Sequence, residues 1–279
     1  MLALVIEGQK YDVNWVEFSD GALTCKVENL PREADYIWIT VDPSTPCKQV
    51  IEELELLWDA LNSVNYKGIN LNMPYLPYAR ADRKFEEGNP EPLALFLFKL
   101  AALPFDDILI ADVHNPESLS PDKNTYTSNI KNKSQLECFK DSLPSGTNMR
   151  QWSAVISPDK GAVLKAHTVA DYLKVPVLCA DKERDISTGR ITKTTLPDIG
   201  IKTPNPRVLI CDDIFDGGGT FIPLCEELGK RDYKVDLYIT HLIAAKGLDI
   251  LKGLVDNIYF YHVVGDYIND KHVLDFNNK

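Results

Sequence analysis

Short apolar segments with the two-residue period of β-strands alternate along this chain with segments that have the period of α-helices. The alternation is clearest in the second half, where strands are predicted at residues 154–156 and 177–180, on either side of a helix at 163–173. Strands that alternate with helices of about 10 to 15 residues are typical of βαβ units, whose sheets are parallel. The sequence therefore predicts an α/β protein whose mainly parallel sheets are flanked by helices.

The chain is long enough for two such units. Its 279 residues correspond to one large or two medium domains, at roughly 100 to 200 residues per domain. Residues 115–132 have little periodicity and are rich in Ser, Asn, Pro and Asp, which is typical of a long loop. We therefore expect two similar α/β halves, an N-terminal domain at residues 1–132 and a C-terminal domain at residues 133–279.

The same patterns place the other elements. Strand-like segments at residues 11–15 and 23–27 enclose Asp20 and Gly21, a pair that is typical of a hairpin turn. Residues 181–205 are polar and predict an exposed segment. Further strands are predicted at 36–41, 68–72, 108–111, 208–211 and 235–240, and further helices at 46–61, 93–103, 220–228 and 244–254.

Charge and composition exclude several kinds of partner. The 30 basic and 41 acidic residues give a net charge of −11, which provides no overall positive field for a nucleic acid. The longest apolar stretch, residues 93–103, is shorter than the about 20 residues that a membrane span needs. The first residues lack a signal-peptide pattern, and the six cysteines form no Cys-x-x-Cys pair. We expect a cytoplasmic protein that binds neither nucleic acid nor membrane.

The strongest sign of a binding site is the segment 208–220 (VLICDDIFDGGGT), where an apolar strand leads into a helix. Its three glycines let N–H groups point inward, and the helix start adds positive charge, so the segment can hold a phosphate. Asp212 and Asp213 can accept hydrogen bonds from sugar hydroxyls, and Thr220 adds a hydroxyl. The purely structural alternative is a glycine-rich turn with a capping threonine.

Cationic side chains are concentrated in two other segments. Arg80 and Arg83 follow two prolines after a predicted strand, and their guanidinium groups suit phosphates, with Asp82 able to orient one of them. Lys182 and Arg184 lie at the start of the polar segment 181–205. The alternative for the first group is a solvated charge run, and without other information the second group is typical of an ordinary surface loop.

These segments occur in the same order in the ribose-phosphate pyrophosphokinases, which the chain resembles. The segment 212–220 resembles the phosphoribosyl-pyrophosphate loop of that family and of type I phosphoribosyltransferases, but the latter resemble only the second half of the chain. The other matching motifs are residues 18–21 (FSDG), 73–84 (MPYLPYARADRK), 111–114 (ADVH), 155–161 (VISPDKG) and 181–184 (DKER). The resemblance implies two phosphoribosyltransferase-like halves.

The resemblance also implies a reaction, in which the β,γ-diphosphoryl group of ATP moves to the anomeric hydroxyl of ribose 5-phosphate. The products are phosphoribosyl pyrophosphate and AMP. Such a transfer depends on positioning and on neutralising phosphate charge rather than on a covalent nucleophile. The matched motifs imply Mg²⁺ ligands at His114 and Asp159 and catalytic residues at Lys182 and Arg184. They imply ATP contacts at Phe18, Asp20, Arg80, Asp82 and Arg83, and acceptor contacts at Asp212, Asp213, Asp216, Gly217, Gly218, Gly219 and Thr220.

The hairpin that carries Phe18 and Asp20 has a further implication. In the family this hairpin reaches across a subunit interface and holds the adenine of the neighbour's ATP. The resemblance therefore implies a homo-oligomer with the ATP site at an interface. A plain hairpin turn is the alternative.

Three positions depart from the family pattern. Ala22 and Ala81 replace polar residues near ATP, and Gly217 replaces a threonine beside the site of the 5-phosphate. The glycine predicts a roomier pocket, so the same chemistry on a larger acceptor, ADP-ribose, stays open, with ADP-ribose pyrophosphate as its product. A non-catalytic subunit of a synthetase complex is another alternative. A phosphoribosyltransferase is less consistent, because it would leave Arg80 and His114 without a purpose.

Overall fold

The computed structural model describes residues 2–120, 127–184, 191–197, 204–264 and 273–276. The chain divides into two compact units, Met1–Lys133 and Ser134–Lys279. Each unit contains a six-stranded sheet with helices, and most strand pairs in both sheets are parallel. The predicted α/β fold with mainly parallel sheets is therefore confirmed.

The first unit combines one large sheet with a separate hairpin. Its elements are β1 (Leu2–Ile6), β2 (Gln9–Tyr11), β3 (Val13–Glu17), β4 (Leu23–Val27), β5 (Glu33–Val41), α1 (Cys47–Ala60), β6 (Asn65–Asn72), α2 (Pro92–Leu100), β7 (Asp107–Ala111) and β8 (Ile130–Lys133). The sheet order is β2-β1-β5-β6-β7-β8. Strands β5 to β8 are parallel to one another, and β1 is antiparallel to both of its neighbours, β5 and β2. Among the described residues, strands β3 and β4 pair only with each other.

Helix α1 shows why the periodic segments fold as predicted. Its fully buried residues Val50, Leu54 and Leu57 are spaced by four and three positions, so they lie on one face of the helix. Pro46 comes directly before the helix, where its missing N–H costs nothing. The buried face joins the core beneath the large sheet, together with β1, β5 and β6.

The second unit repeats the parallel arrangement. Its elements are α3 (Gln135–Ser142), β9 (Ala154–Ser157), α4 (Val163–Leu173), β10 (Val177–Cys179), β11 (Asp181–Arg184), β12 (Ile191–Thr195), β13 (Arg207–Phe215), α5 (Phe221–Gly229), β14 (Lys234–Leu242), β15 (Asn257–Val263) and β16 (Val273–Asp275). The sheet order is β10-β9-β13-β14-β15-β16, and only the pair β15-β16 is antiparallel. Strand β9 is buried throughout, as a central strand covered on both faces should be.

Two local predictions are wrong. Residues 244–254 are not an α-helix but turns around a short 3₁₀-helix, Asp249–Leu251. Ala244, Gly247 and Gly253 all have positive φ angles, which an α-helix cannot accommodate. The segment 181–205 is not simply an exposed loop, because β11 and β12 pair within it as a two-stranded antiparallel ribbon.

None of the helices within the described ranges is long and apolar enough to cross a membrane.

Candidate active site

The predicted phosphate loop, residues 216–220, connects the carboxyl end of β13 to the start of α5. Gly218 adopts a left-handed conformation with φ of +76°, and its carbonyl oxygen accepts hydrogen bonds from the N–H groups of Phe221 and Ile222. The loop therefore enters the helix through a tight turn. Helix α5 has nine residues, so its dipole adds positive charge at this end. In parallel sheets, ligands bind beyond the carboxyl ends of the strands, where this loop lies.

Asp212 and Asp213 lie on β13 just before the loop. The backbone N–H of Asp213 donates to Asp212 Oδ1 at 2.9 Å, which helps to fix the Asp212 carboxylate. Burial raises the pKa of Asp212 well above its usual range, and the negative charge of Asp213 raises it further. The ammonium of Lys165, on α4, lies 3.3 Å from Asp213 Oδ2 and balances part of this charge. The sequence analysis missed Lys165, because 48 positions separate it from Asp213.

A second contact joins Asp159, Lys182 and Thr220. The Lys182 ammonium donates to Asp159 Oδ2 at 3.1 Å and to Thr220 Oγ at 3.2 Å. The other oxygen of Asp159 accepts hydrogen bonds from the N–H groups of Gly161 and Ala162, which fix the carboxylate just before α4. The Lys182 side chain is only 5% exposed, although its segment was expected to lie in solvent. The contact brings three of the predicted site residues together.

The remaining glycines of the loop differ in their surroundings. A Cβ atom at Gly217 would lie 3.5 Å from Cε of Lys246, so this side chain lines the space that was expected to be open. A Cβ at Gly219 would meet nothing within 4 Å. Asp216 precedes the glycines and is partly buried. Arg184 ends β11, but its side chain lies outside the described part of the structure.

In the first unit, the predicted ATP segment and the predicted metal segment are tied together. Asn115 Nδ2 donates to Asp82 Oδ2 at 2.6 Å, which holds the segment of Arg80 and Arg83 beside the loop that carries His114. Arg80, Arg83 and His114 are all exposed, and the Arg83 guanidinium lies 5.5 Å from the centre of the Phe85 ring. The sequence analysis missed Asn115, although it directly follows a predicted ligand.

The hairpin β3–β4 presents Phe18 at its tip with 55% of the residue exposed. Asp20 Oδ1 accepts a hydrogen bond from the Ala22 N–H at 3.0 Å, and Gly21 has φ of +87°, so the predicted turn is present. An exposed ring at a hairpin tip is available for stacking on a base.

The donor set can be compared with what Mg²⁺ requires. Asp159 offers a carboxylate that is 42% exposed, and carboxylate oxygens are the ligands that Mg²⁺ prefers. His114 offers a nitrogen, which is a less usual ligand for this ion. Within the described residues, no group of three or more His, Cys, Asp or Glu side chains forms a complete metal cage. Mg²⁺ often keeps several waters and binds through one or two carboxylates together with substrate phosphates, so a carboxylate of the kind that Asp159 offers fits this ion.

Replacing Gly218 with Ala is expected to lower the free energy of unfolding by about 1–2 kcal/mol, because a side chain at positive φ is strained. The new Cβ would also lie 2.8 Å from Cδ1 of Ile250 and 3.0 Å from Cδ1 of Ile222, so either these side chains or the loop must shift. Urea unfolding measures the loss, and Gly219→Ala, where a Cβ meets open space, is the control for stability. Equal stability of the two variants would contradict the strained conformation at Gly218.

The predicted phosphate loop lies at the carboxyl end of a parallel strand and is preceded by two aspartates, and the second unit matches the phosphoribosyltransferase class. Residues 144–267 match the family model of the phosphoribosyl transferase domain. Residues 3–101 match the model described as the N-terminal domain of ribose phosphate pyrophosphokinase.

Similarity to known proteins over most of the chain shows the family to which this protein belongs. A ribose-phosphate pyrophosphokinase of Pyrococcus abyssi is 32% identical over 86% of this chain and 79% of its own length. That of Pyrococcus furiosus is 30% identical over 87% of this chain and 82% of its own length. The chain therefore belongs to the ribose-phosphate pyrophosphokinase family.

A solved structure has a similar fold over most of this chain. Phosphoribosylpyrophosphate synthetase from Mycobacterium smegmatis matches with a TM-score of 0.72 and 20% identity, over 91% of this chain and 81% of that one. At this identity the likeness is one of fold. It supports two phosphoribosyltransferase-like halves in one chain.

Proposed function

We propose that this chain is an ATP- and Mg²⁺-dependent enzyme that transfers the β,γ-diphosphoryl group of ATP to the anomeric hydroxyl of ribose 5-phosphate. The products are phosphoribosyl pyrophosphate and AMP. The observation that carries the proposal is the contact of Lys182 with both Asp159 and Thr220. It brings a cation, a candidate metal ligand and the phosphate loop to one place, as a diphosphoryl transfer requires.

The acceptor binds at the loop 216–220. Its inward N–H groups, the start of α5 and the Thr220 hydroxyl bind the 5-phosphate. Asp212 and Asp213 accept hydrogen bonds from the ribose hydroxyls, and the Lys165 ammonium keeps Asp213 in place. The anomeric hydroxyl is thereby oriented before the transfer, which lowers the entropic part of the barrier.

Positive charge for the transfer comes from Lys182 and Arg184 on β11. As negative charge redistributes between the entering hydroxyl and the leaving AMP, a fixed ammonium in a site with little water stabilises the transition state. Lys182 is 5% exposed, so it is shielded from water already.

ATP binds through residues of the first unit. Arg80 and Arg83 are placed to bind the triphosphate, with Asp82 held by Asn115. Phe18 and Asp20 at the hairpin tip provide a stacking ring and an acceptor for adenine, which would come from a neighbouring subunit in a homo-oligomer. Asp159 in the second unit and His114 in the first are each proposed as a ligand of Mg²⁺, which when bound would neutralise phosphate charge.

The test is to incubate the purified protein with ATP, Mg²⁺ and either ribose 5-phosphate or ADP-ribose, and to quantify AMP and identify the product by mass. We expect AMP and phosphoribosyl pyrophosphate in equal amounts with ribose 5-phosphate, and no AMP without an acceptor. AMP formed only with ADP-ribose would show that ADP-ribose is the acceptor, while the diphosphoryl transfer itself would be the one proposed. Folded protein that forms no AMP with either acceptor would contradict the proposal and favour a non-catalytic subunit.

A further inference from the structure

The turn that follows β14 is attached directly to the end of β13. The N–H groups of Ile243 and Ala244 both donate to the Phe215 carbonyl oxygen, at 2.8 and 3.1 Å. Phe215 is the last residue of β13 and precedes Gly217 by two positions. The Gly247 N–H closes the turn on the Ala244 carbonyl at 2.7 Å. The turn, residues 244–247, is therefore held in a defined position beside the phosphate loop.

This turn places the side chain of Lys246 next to Gly217. A Cβ at Gly217 would lie 3.5 Å from Lys246 Cε, 3.7 Å from Cδ and 3.9 Å from Nζ. A Cβ at position 217 would thus be in van der Waals contact with the Lys246 side chain. The Lys246 ammonium lies beside Gly217, at one end of the loop. Thr220 lies at the other end and accepts a hydrogen bond from Lys182.

Three lysines lie near the loop, and they differ in whether a carboxylate engages their ammonium group. The nearby carboxylates Asp212 and Asp213 are acidic, and the protein as a whole carries a net charge of −11. The ammonium groups of Lys165 and Lys182 are each engaged by a carboxylate, at 3.3 and 3.1 Å. Lys246, by contrast, is exposed and forms no ion pair with the residues that the structure describes.

We propose that Lys246 binds the phosphate at the 5-position of the acceptor and that Gly217 keeps the space beside this ammonium free of a side chain, an inference that rests on the proposed function. An ammonium thereby replaces the hydroxyl that a threonine at position 217 would offer. A charged donor binds a phosphate more strongly than a neutral one. Positions 217 and 246 are expected to act as a pair, because a side chain at position 217 would contact the Lys246 side chain.

The first experiment compares Lys246→Met with Lys230→Met. Lys230 lies just past the carboxyl end of α5, at the end away from the loop, and its removal deletes the same charge. We expect Lys246→Met to raise KM for ribose 5-phosphate about tenfold, the loss expected for one charge-assisted hydrogen bond, with kcat within about twofold. Lys246→Arg should restore most of the affinity. Lys230→Met should match the wild type.

The second experiment is a double-mutant cycle on positions 217 and 246. Gly217→Thr should raise KM when Lys246 is present, because the new side chain displaces the ammonium. In the Lys246→Met background the same change should have a smaller effect or lower KM, since its hydroxyl can then reach the phosphate. Non-additive changes in KM would support the coupling, and additive ones would contradict it.

Direct binding separates this inference from the proposed function. Calorimetric titration of each variant with ribose 5-phosphate needs no turnover, and circular dichroism shows that each is folded. If the wild type forms no AMP, the proposed function fails, yet weaker binding by Lys246→Met still supports the phosphate contact. Equal affinity of Lys246→Met and the wild type, or no binding by either, overturns it.

Discussion

Lys182→Ala is expected to lower the rate of AMP formation by about 100- to 1,000-fold, the usual effect of removing one preorganised donor from a transition state. The Lys182 ammonium lies 3.1 Å from Asp159 and 3.2 Å from Thr220, so it is fixed where the diphosphoryl group would pass. KM for ribose 5-phosphate should change much less than kcat, because the charge acts mainly on the transition state.

The fold should survive this substitution. Asp159 is 42% exposed, so water can replace the lost ammonium, and the backbone pairing of β11 with β12 does not depend on the side chain. The control is Lys234→Ala, at the amino end of β14 and away from the carboxyl-end site. Steady-state rates and thermal unfolding should be measured for both variants. Full activity of Lys182→Ala, or loss of its cooperative unfolding, would contradict the assigned role.

Asp236→Ala is expected to lower the free energy of unfolding by about 3–5 kcal/mol, as breaking a buried ion pair typically does. Asp236 is fully buried in β14. Its Oδ1 accepts hydrogen bonds from Arg207 at 2.6 Å and Asn257 at 2.9 Å, and its Oδ2 accepts one from Trp152 Nε1 at 2.8 Å. Alanine would leave these donors without their acceptor and open a cavity at the centre of the second sheet.

An exposed carboxylate provides the matched control for this loss. Asp249 pairs with Lys252 at 2.7 Å, and both side chains are largely exposed, so Asp249→Ala should cost less than about 1 kcal/mol. Urea unfolding followed by tryptophan fluorescence measures both variants. A loss below about 1 kcal/mol for Asp236→Ala would show that the buried cluster contributes little net stability.

Most elements could be predicted because their signal is local. The periodicity of residues 46–61 sets which face of α1 is buried, and the Asp20–Gly21 pair sets the turn of the first hairpin. The helix predicted at residues 244–254 failed for a tertiary reason. Its backbone is bound to Phe215 on the neighbouring strand, which holds Ala244 in a left-handed conformation that apolar spacing does not reveal.

By itself, the sequence determined the α/β class, the phosphate loop and the segments that carry candidate site residues. These depend on residues that are adjacent in the chain, and parallel strands place their following loops at one edge of the sheet. Only the tertiary structure decided which side chains meet across elements. Lys165 with Asp213, Lys182 with Thr220 and Lys246 with Gly217 are pairs of this kind. Their distances depend on strand order and helix packing, and sequence spacing contains neither.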